Sequence, residues 1–579
     1  MENTIIGIDL GTTNSEVAVL EAGKVKVLKV AGESDQLPSY VGLDEQGELL
    51  VGEAAKNQFL LYPERTIKSV KRHMGEDIQL QLADKEYSPQ EISAMILRHL
   101  KQIAEKHLGN PVTRAVITVP AFFSDAQRQA TRDAGEIAGL TVERILNEPT
   151  AAALAYEVNS PEARTILVYD LGGGTFDVSV VKIENNVVEV LSSHGNNHLG
   201  GDDFDQKIIE HILSFIKDEH GVELKDEPKA MSRIIRAAEN AKIALSSQPY
   251  YTIEEEHLSE DKGRPVHLSL ELSREDYEEM IKPFIEQTEE AIHTALDGAK
   301  LRVVDIDEIL LVGGSTKTPL VRTRLEQSLN RPIRLEVDPD LCVAIGAATQ
   351  AGIISGENVS ATLVDITPYT FGTSVLGEKD GYEYPYVYVP IIKKNTPIPV
   401  TRSESFFVIF DGQEKIKVSV YQGEDPDALN NEVLGDFFIK DLKNPQAGDA
   451  IITTFALDIN GILQVTTIEK KTGKKESITI DNVISRFQDE ELEKAKKQVA
   501  ALFEDDNSES NSNSDQNASS QGKELLQKAQ KILSTLDGDD KEDMDDLIKD
   551  LETAMQANDE AGIQTASEEL TDLIYYLET

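Results

Sequence analysis

The chain has no tryptophan and a single cysteine, Cys342. One thiol cannot build an intrachain disulfide framework or a cysteine-clustered zinc site. Within LCVAIGAA, Cys342 reads as a small buried apolar residue. Positive charge is also scarce: 57 basic residues face 103 acidic ones, a formal charge of −46. That balance argues against nucleic acid as a partner, favours basic partner surfaces, and has solubility as its simplest role. No apolar run approaches the roughly 20 residues that span a bilayer. Asp9 and Asn14 interrupt the apolar stretch near the start, so no secretory signal is expected. The expectation is a soluble, cytoplasmic protein with no membrane partner. Also missing are a Gly-x-x-x-x-Gly-Lys-Ser/Thr loop, a Gly-x-Gly-x-x-Gly after a strand, and His-Glu-x-x-His.

What is present is a repeat. IIGIDLGTTNSEVAVL (Ile5 to Leu20) returns as VYDLGGGTFDVSVV (Val168 to Val181). Asp9 falls on Asp170, Glu16 on Asp177, Val17 on Val178 and Val19 on Val180, an offset of 161 residues from 9 to 170. In each copy an apolar run ends in aspartate, a Gly/Thr turn follows, and alternating apolar residues resume, which predicts a β-hairpin. Such a turn suits a phosphate, because glycine permits close backbone approach and successive N–H groups form an anion-binding concavity. Two copies suggest two jaws. Asp9 and Asp170 would then hold Mg²⁺ through its retained waters, since Mg²⁺ gives up water reluctantly.

At about 150 residues per domain, 579 residues imply three to five units. From residue 1 to 356, apolar runs such as TRAVITV, TILVYD and DEILLVGG alternate with helical patterns such as SDAQRQATRDAGEIAGL, which predicts a two-lobed α/β domain around a central cleft. Residues 357–368 read as a linker ending in Pro368. From 369 to 480, β-type runs broken by Asp411-Gly412, Asn460-Gly461 and Gly473 predict an antiparallel sandwich. Residues 481–579 are acidic and helical, with a first helix near Asp489 to Phe503, a low-hydrophobicity stretch at 504–522 expected to be disordered, and three amphipathic segments sharing a small core.

Seven ordered motifs, IDLGTTNS, VPAFFSDAQRQATRDAG, NEPTAAALAY, DLGGGTFDVSVV, HLGGDDFD, LVGGSTKTP and DPDLCVAIGAA, resemble the nucleotide domain of the DnaK or 70-kDa heat-shock chaperones. NTPIPV, VYQGE and DINGILQV resemble that family's peptide-binding β-domain, so the resemblance covers residues 1–480. DITPYTFG, the longer segment near Tyr382 to Ile392 and the short C-terminal part look most like the HscC-type branch. The fold so implied is an actin-like α/β ATPase domain, a β-sandwich substrate domain and a helical lid.

The resemblance implies an ATPase using ATP/ADP and Mg²⁺, with K⁺ as a further ion. Gly11, Thr12, Thr13 and Asn14 would grip the phosphates from one jaw, and Gly172, Gly173, Gly174 and Thr175 from the other. Lys71 would orient the attacking water and offset γ-phosphate charge, Glu148 and Asp170 would complete the Mg²⁺-water shell beside Asp9, and Thr175 matches an autophosphorylated threonine. Gly200, Gly201, Glu239, Lys242, Ser246, Gly314 and Asp340 match the adenosine site. Lys317 stands where the family usually stacks an arginine on adenine, a role an ammonium does not replace. Pro120, Arg128 and Asp365 match positions that relay nucleotide state between domains.

Thr373, Val375, Leu376, Phe406, Ile409, Ile416 and Val418 match the family's peptide cleft. The implied partners are unfolded or extended polypeptides, a J-domain co-chaperone and a nucleotide exchange factor. Three departures stand out: the tyrosine-rich segment at 377–395, a linker SATLV less apolar than the family's leucine-rich version, and the interrupted lid at 504–522. They keep a weakly coupled ATPase with a passive peptide module open. An actin-like polymer and a small-molecule kinase share the superfold and stay open as well.

Overall fold

The computed structural model describes residues 4–32, 34–156, 163–334, 338–357, 359, 361–480, 489–504, 525–526, 529–530, 532–533, 539–557 and 560–578. Two sheets of matching topology organise the first part. One runs in the order Thr141–Asn147, Arg114–Val119, Ile6–Asp9, Asn14–Glu21, Lys24–Val27; the other runs Ile333–Arg334, Glu308–Val312, Arg164–Leu171, Phe176–Glu184, Val187–Asn196. In each, two parallel pairings lead into two antiparallel ones. The repeated segments are the central hairpins, with Asp9 opposite Glu16 and Asp170 opposite Asp177. Their central parallel strands carry buried apolar runs, Ala115–Ile117 and Ile166–Tyr169, as expected of strands covered on both faces.

The helices Glu148–Tyr156 and Cys342–Ser355 lie between the sheets. Ala151, Leu154, Cys342, Ala347 and Ala351 share a buried cluster with Val116 and Leu146 of the first lobe and Val168, Val181 and Leu310 of the second. Small side chains let these helices approach each other and both sheets, so the lobes share one floor. Cys342 is fully buried there.

Residues 371–480 form two four-stranded antiparallel sheets. The first orders Tyr382–Ile392, Phe371–Lys379, Ile416–Gln422, Glu432–Ile439; the second orders Val400–Phe407, Ala450–Leu457, Leu463–Glu469, Lys475–Ile480. Phe371, Val420 and Leu434 meet Phe455, Leu457, Leu463 and Val465 in one core. The strict alternation of burial along Ala450–Leu457 is the period-two signature of a strand with one face inward.

Two elements sit elsewhere than the sequence suggests. Within the expected linker, Thr362–Thr367 is a strand. It pairs in parallel with Val187–Asn196 and antiparallel with Thr396–Ile398, so it extends the second lobe's sheet. The lobe leaves an open edge that any extended segment can pair with, and Leu363 packs against the floor cluster. The helix Asp489–Glu504, expected to begin a lid, packs against Pro89–Leu108 and Asp125–Ile137 of the first lobe. Its stripe of Ala495, Val499 and Phe503 is buried in that lobe's core, with the Arg98 guanidinium 5.0 Å from the Phe503 ring centroid.

Apart from Glu504, the stretch 504–522 lies outside the described residues, as does Ser360 of the linker. Farther on, Asp539–Ala557 and Glu560–Glu578 join through Met544, Ile548, Leu551, Ile563, Leu570 and Ile574, with Leu526 and Ala529 in the same cluster. Among the described residues no helix is long and apolar enough to cross a membrane.

Candidate active site

The hairpin turns face each other across the floor. A Cβ on Gly173 would collide with the Thr13 hydroxyl, and one on Gly174 would come within 2.8 Å of Thr12 Cγ2 and 2.9 Å of Arg72 Cγ. Only glycine permits this approach. Each turn is braced from behind. Ser15 Oγ accepts from Gly11 N–H at 3.2 Å and Ser39 Oγ donates to Gly11 O at 2.9 Å, while Thr175 O accepts from Gly172 N–H at 3.1 Å and Ser315 Oγ donates to Gly172 O at 2.8 Å. Thr12 and Thr175 are buried; Asn14 opens the second strand of its hairpin.

Lys71 lies on a short 3₁₀ turn, Val70–His73, and is 4% exposed. Its Nζ is 2.5 Å from Glu148 Oε1, at the start of the Glu148–Tyr156 helix. Asp9 Oδ1 accepts from Thr118 Oγ1 at 2.6 Å, and Asp170 Oδ2 is buried with no hydrogen-bond partner. Burial pushes the Glu148 carboxyl up to about 7, with Lys71 pulling it down and Asp9 pushing it up. Burial, then the charges of Glu148, Asp177 and Asp9, hold Asp170 well above the usual carboxylate range; burial also raises Asp9. Burial alone would make Lys71 less basic, but Glu148, Asp9 and Asp170 outweigh it and raise its pKa.

Three buried carboxyl groups share one ammonium, so ionising all of them in this dry floor calls for a further cation. Among the described residues no three His, Cys, Asp or Glu side chains converge closely enough to ligate a metal directly. The unpartnered Asp170 oxygen and the glycine cradles therefore fit a hydrated Mg²⁺ beside phosphates better than a protein-ligated one.

On the second lobe, Glu239, Lys242 and Ser246 share one face of the helix Pro228–Ser247. Lys242 Nζ pairs with Asp205 Oδ2 at 2.7 Å and donates to Gly201 O at 3.3 Å; burial lifts Asp205 to about 6. Gly200 and Gly201 start the helix Gly201–His220, whose N-terminal amides point toward the Gly172–Gly174 turn: Gly201 N–H donates to Gly172 O at 2.9 Å and Asp202 N–H to Gly173 O at 2.7 Å. Gly314 and Lys317 lie on a 3₁₀ turn, with Lys317 Nζ 2.5 Å from Asp340 Oδ2. Among the described residues three ion pairs cross between lobes: Lys56 with Glu239 at 3.9 Å, and Arg72 with Asp202 at 3.8 Å and with Asp203 at 3.1 Å.

Arg128 and Asp365 are joined through Asn147 in one buried network, beside the turn that Pro120 opens. Arg128 donates to Ala121 O at 2.9 Å and to Asn147 Oδ1 at 2.7 Å, and Asn147 Nδ2 donates to both Asp365 oxygens. The turn that begins at Pro120 closes with a Phe123 N–H to Pro120 O bond of 3.2 Å. The sandwich touches the same surface: Asn460 Oδ1 accepts from Ile145 N–H at 3.0 Å, and Asp125 Oδ1 from Leu463 N–H at 3.3 Å.

The seven predicted cleft residues lie on or beside Phe371–Lys379, Val400–Phe407 and Ile416–Gln422, and they differ in exposure. Thr373 and Val418 are buried, Val375 is half-buried, Phe406 packs against the sandwich core, Ile416 packs against a separate cluster of Val408, Ile439, Leu442 and Ile451, and Leu376 and Ile409 are exposed, with Phe407 and Phe410 next to Ile409 in the chain. Arg72, Thr118, Asn147, Asp177, Tyr369 and Asn460 went unassigned in the sequence. Asp177 carried a signal as the repeat partner of Glu16, Asn147 as the first residue of NEPTAAALAY, and Asn460 as half of an Asn-Gly turn.

A family model described as Hsp70 protein matches residues 5–579. With that match over nearly its whole length and a cleft built from two facing phosphate-type hairpins, the chain belongs to the 70-kDa heat-shock protein family.

Proposed function

We propose that the chain is an ATP-dependent molecular chaperone. ATP hydrolysis between the two hairpins switches the affinity and exchange rate of the sandwich for extended apolar segments of unfolded proteins. Lys71, oriented by Glu148, offsets charge on the transferring phosphoryl group and aligns the attacking water. The backbone N–H groups of Gly11 to Thr13 and Gly172 to Thr175 bind the phosphate oxygens, and Thr118 fixes Asp9. Asp9 and Asp170 would hold a hydrated Mg²⁺, which would supply positive charge to the phosphates. Glu239, Lys242, Ser246, Gly314 and Asp340 enclose the adenosine.

The observation that carries coupling is Thr362–Thr367 standing as a strand between a sheet of the ATPase lobe and a strand of the sandwich region. This favours the coupled reading over a passive peptide module. An extended peptide would gain backbone hydrogen bonds at the sandwich as well as apolar contacts at Leu376 and Ile409. A J-domain co-chaperone and an exchange factor complete the cycle, and the acidic surface suits a basic face on either. Within the family we place the chain nearest the HscC-type branch, on DITPYTFG and the tyrosine-rich strand Tyr382–Ile392. The test is single-turnover ATP hydrolysis with and without an apolar peptide: stimulation supports the reading, and a rate indifferent to peptide counts against it.

A further inference from the structure

The end of the sandwich that carries its exposed apolar side chains is also where its lysines gather. Strand register defines this end. Thr373 pairs with Val420, Ile416 with Ile439, Phe407 with Ala450 and Ile451 with Glu469, which brings Leu376 and Phe407 to the loops 408–415, 440–449 and 470–474. The loops are tied together: Gly412 N–H donates to Pro445 O at 2.9 Å, Leu442 N–H to Glu414 O at 3.2 Å, and Lys470 N–H to Ala450 O at 3.1 Å. Leu376, Phe407, Ile409 and Phe410 are exposed here.

Across 408–417, 436–449 and 469–476, eight lysines stand against seven carboxylates, in a chain whose 57 basic residues face 103 acidic ones. Most of these carboxylates are engaged internally. Asp436 pairs with Lys417 at 2.7 Å, Asp449 with Lys471 at 3.0 Å and Asp441 with Lys474 at 3.4 Å, while the buried Glu469 accepts from the Thr472 hydroxyl. Lys415, Lys440, Lys443, Lys470 and Lys475 are exposed and make no ion pair among the described residues. Against those five stand Asp411, Glu414 and Glu476, of which Asp411 is turned onto the Ala447 N–H at 2.9 Å. Two of the five ammonium groups are held in place without being neutralised, Lys415 Nζ 3.7 Å and Lys440 Nζ 5.9 Å from the centroid of the Phe438 ring.

We propose that this lysine end makes the sandwich prefer extended apolar segments flanked by aspartate or glutamate. The inference rests on the ATP-driven chaperone reading and names the class of segment that its cleft takes. Apolar contacts at Leu376 and Ile409 hold the core of a segment without regard to its charge. The ammonium groups then favour an acidic flank and disfavour a basic one. Charge is felt over about 8 Å at physiological salt, so a short flank meets these lysines and little of the chain's −46. A long polyanion such as nucleic acid meets that charge along its length and is repelled. Each exposed contact is weak, so the preference needs several lysines acting together.

The experiment is equilibrium binding in ADP of three fluorescent peptides that share one leucine-rich core and differ only in flanks of glutamate, glutamine or lysine. They are titrated with the full chain and with the triple variant Lys415→Gln, Lys440→Gln, Lys443→Gln, and a single-stranded oligonucleotide is the fourth ligand. At low salt the wild type should bind the glutamate-flanked peptide about tenfold more tightly than the lysine-flanked one, and about 0.5 M salt should shrink this to about twofold. The triple variant should lose most of the preference and keep both its affinity for the glutamine-flanked peptide and its single-turnover ATP hydrolysis. Equal binding of glutamate and lysine flanks by the wild type, or a preference that high salt or the triple variant leaves intact, overturns the proposal. An oligonucleotide bound as tightly as the glutamate-flanked peptide overturns it as well. The salt series needs no substitution, so it decides should the variant not fold. Indifference to the flanks in a chain whose peptide binding still responds to ATP defeats this proposal alone. A glutamine-flanked peptide that does not bind, or that is held equally in ATP and ADP, defeats the chaperone reading and this proposal with it.

Discussion

Asn147 shares a side-chain N–H between the two oxygens of Asp365, with Nδ2 3.0 Å from each, and takes Arg128 on its own carbonyl oxygen at 2.7 Å. Asp365 is buried in the linker strand and receives its neighbour's Ile366 N–H at 2.8 Å as well. The carboxylate is satisfied only while the strand stays against the first lobe's Asn147. Asp365→Asn would oppose one amide N–H with another, at about 1–3 kcal/mol for a buried polar group left unpaired. Hydrogen exchange of residues 362–367 in ATP should be slow in wild type and fast in the variant; equal protection would contradict the account.

Lys71→Ala leaves Glu148 without its ammonium and, on the proposed mechanism, the transferring phosphoryl group without a positive charge that offsets its own. Single-turnover hydrolysis should fall by about 10² to 10³, the usual size for one lost electrostatic contact at the reacting oxygens. ATP binding should survive, because the hairpin amides remain. A rate within threefold or so of wild type would remove Lys71 from the chemistry.

Lys317 is held by Asp340 at 2.5 Å, where the proposed function places the adenine base. A guanidinium at that place could keep Asp340 and lay its plane on adenine, which an ammonium does not do. Lys317→Arg is expected to tighten ATP binding. An unchanged dissociation constant refutes the stacking argument.

Phe503 fills the first lobe's core from the helix Asp489–Glu504 and lies under Arg98. Phe503→Ala should weaken that docking by roughly 3–5 kcal/mol, as truncation of a buried aromatic does. The measurement is hydrogen exchange along 489–504 in ATP. Faster exchange confined to that helix is the expected pattern, and no change would mean the helix is held by other contacts.

The repeat was legible because each hairpin is local. Aspartate, a Gly/Thr turn and alternating apolar residues lie within sixteen positions, and the register in both copies follows that pattern. The capped helix Asp125–Ile137 was legible for the same reason, since Ser124 and Gln127 form a reciprocal box three residues apart. What the sequence could not give were partners supplied by distant chain. Asp177 was visible as the repeat mate of Glu16, yet the amides it holds lie 55 and 56 residues away. TLVDIT looked like a linker because its strand partner is an edge elsewhere in the fold. An apolar stripe on 489–504 says that the helix buries one face, not which domain it buries it against.

The account turns on communication between the ATP cleft and the sandwich, and release of a fluorescent apolar peptide on mixing with ATP, with ADP, and with ATP in Lys71→Ala tests it most directly. With no tryptophan in the chain, one introduced reporter can follow the same event without background. The account predicts release with ATP well faster than with ADP in both proteins, and in Lys71→Ala a fast state that persists because hydrolysis no longer ends it. Equal rates with ATP and ADP would contradict it and leave an ATPase carrying a peptide-binding module that does not sense its nucleotide.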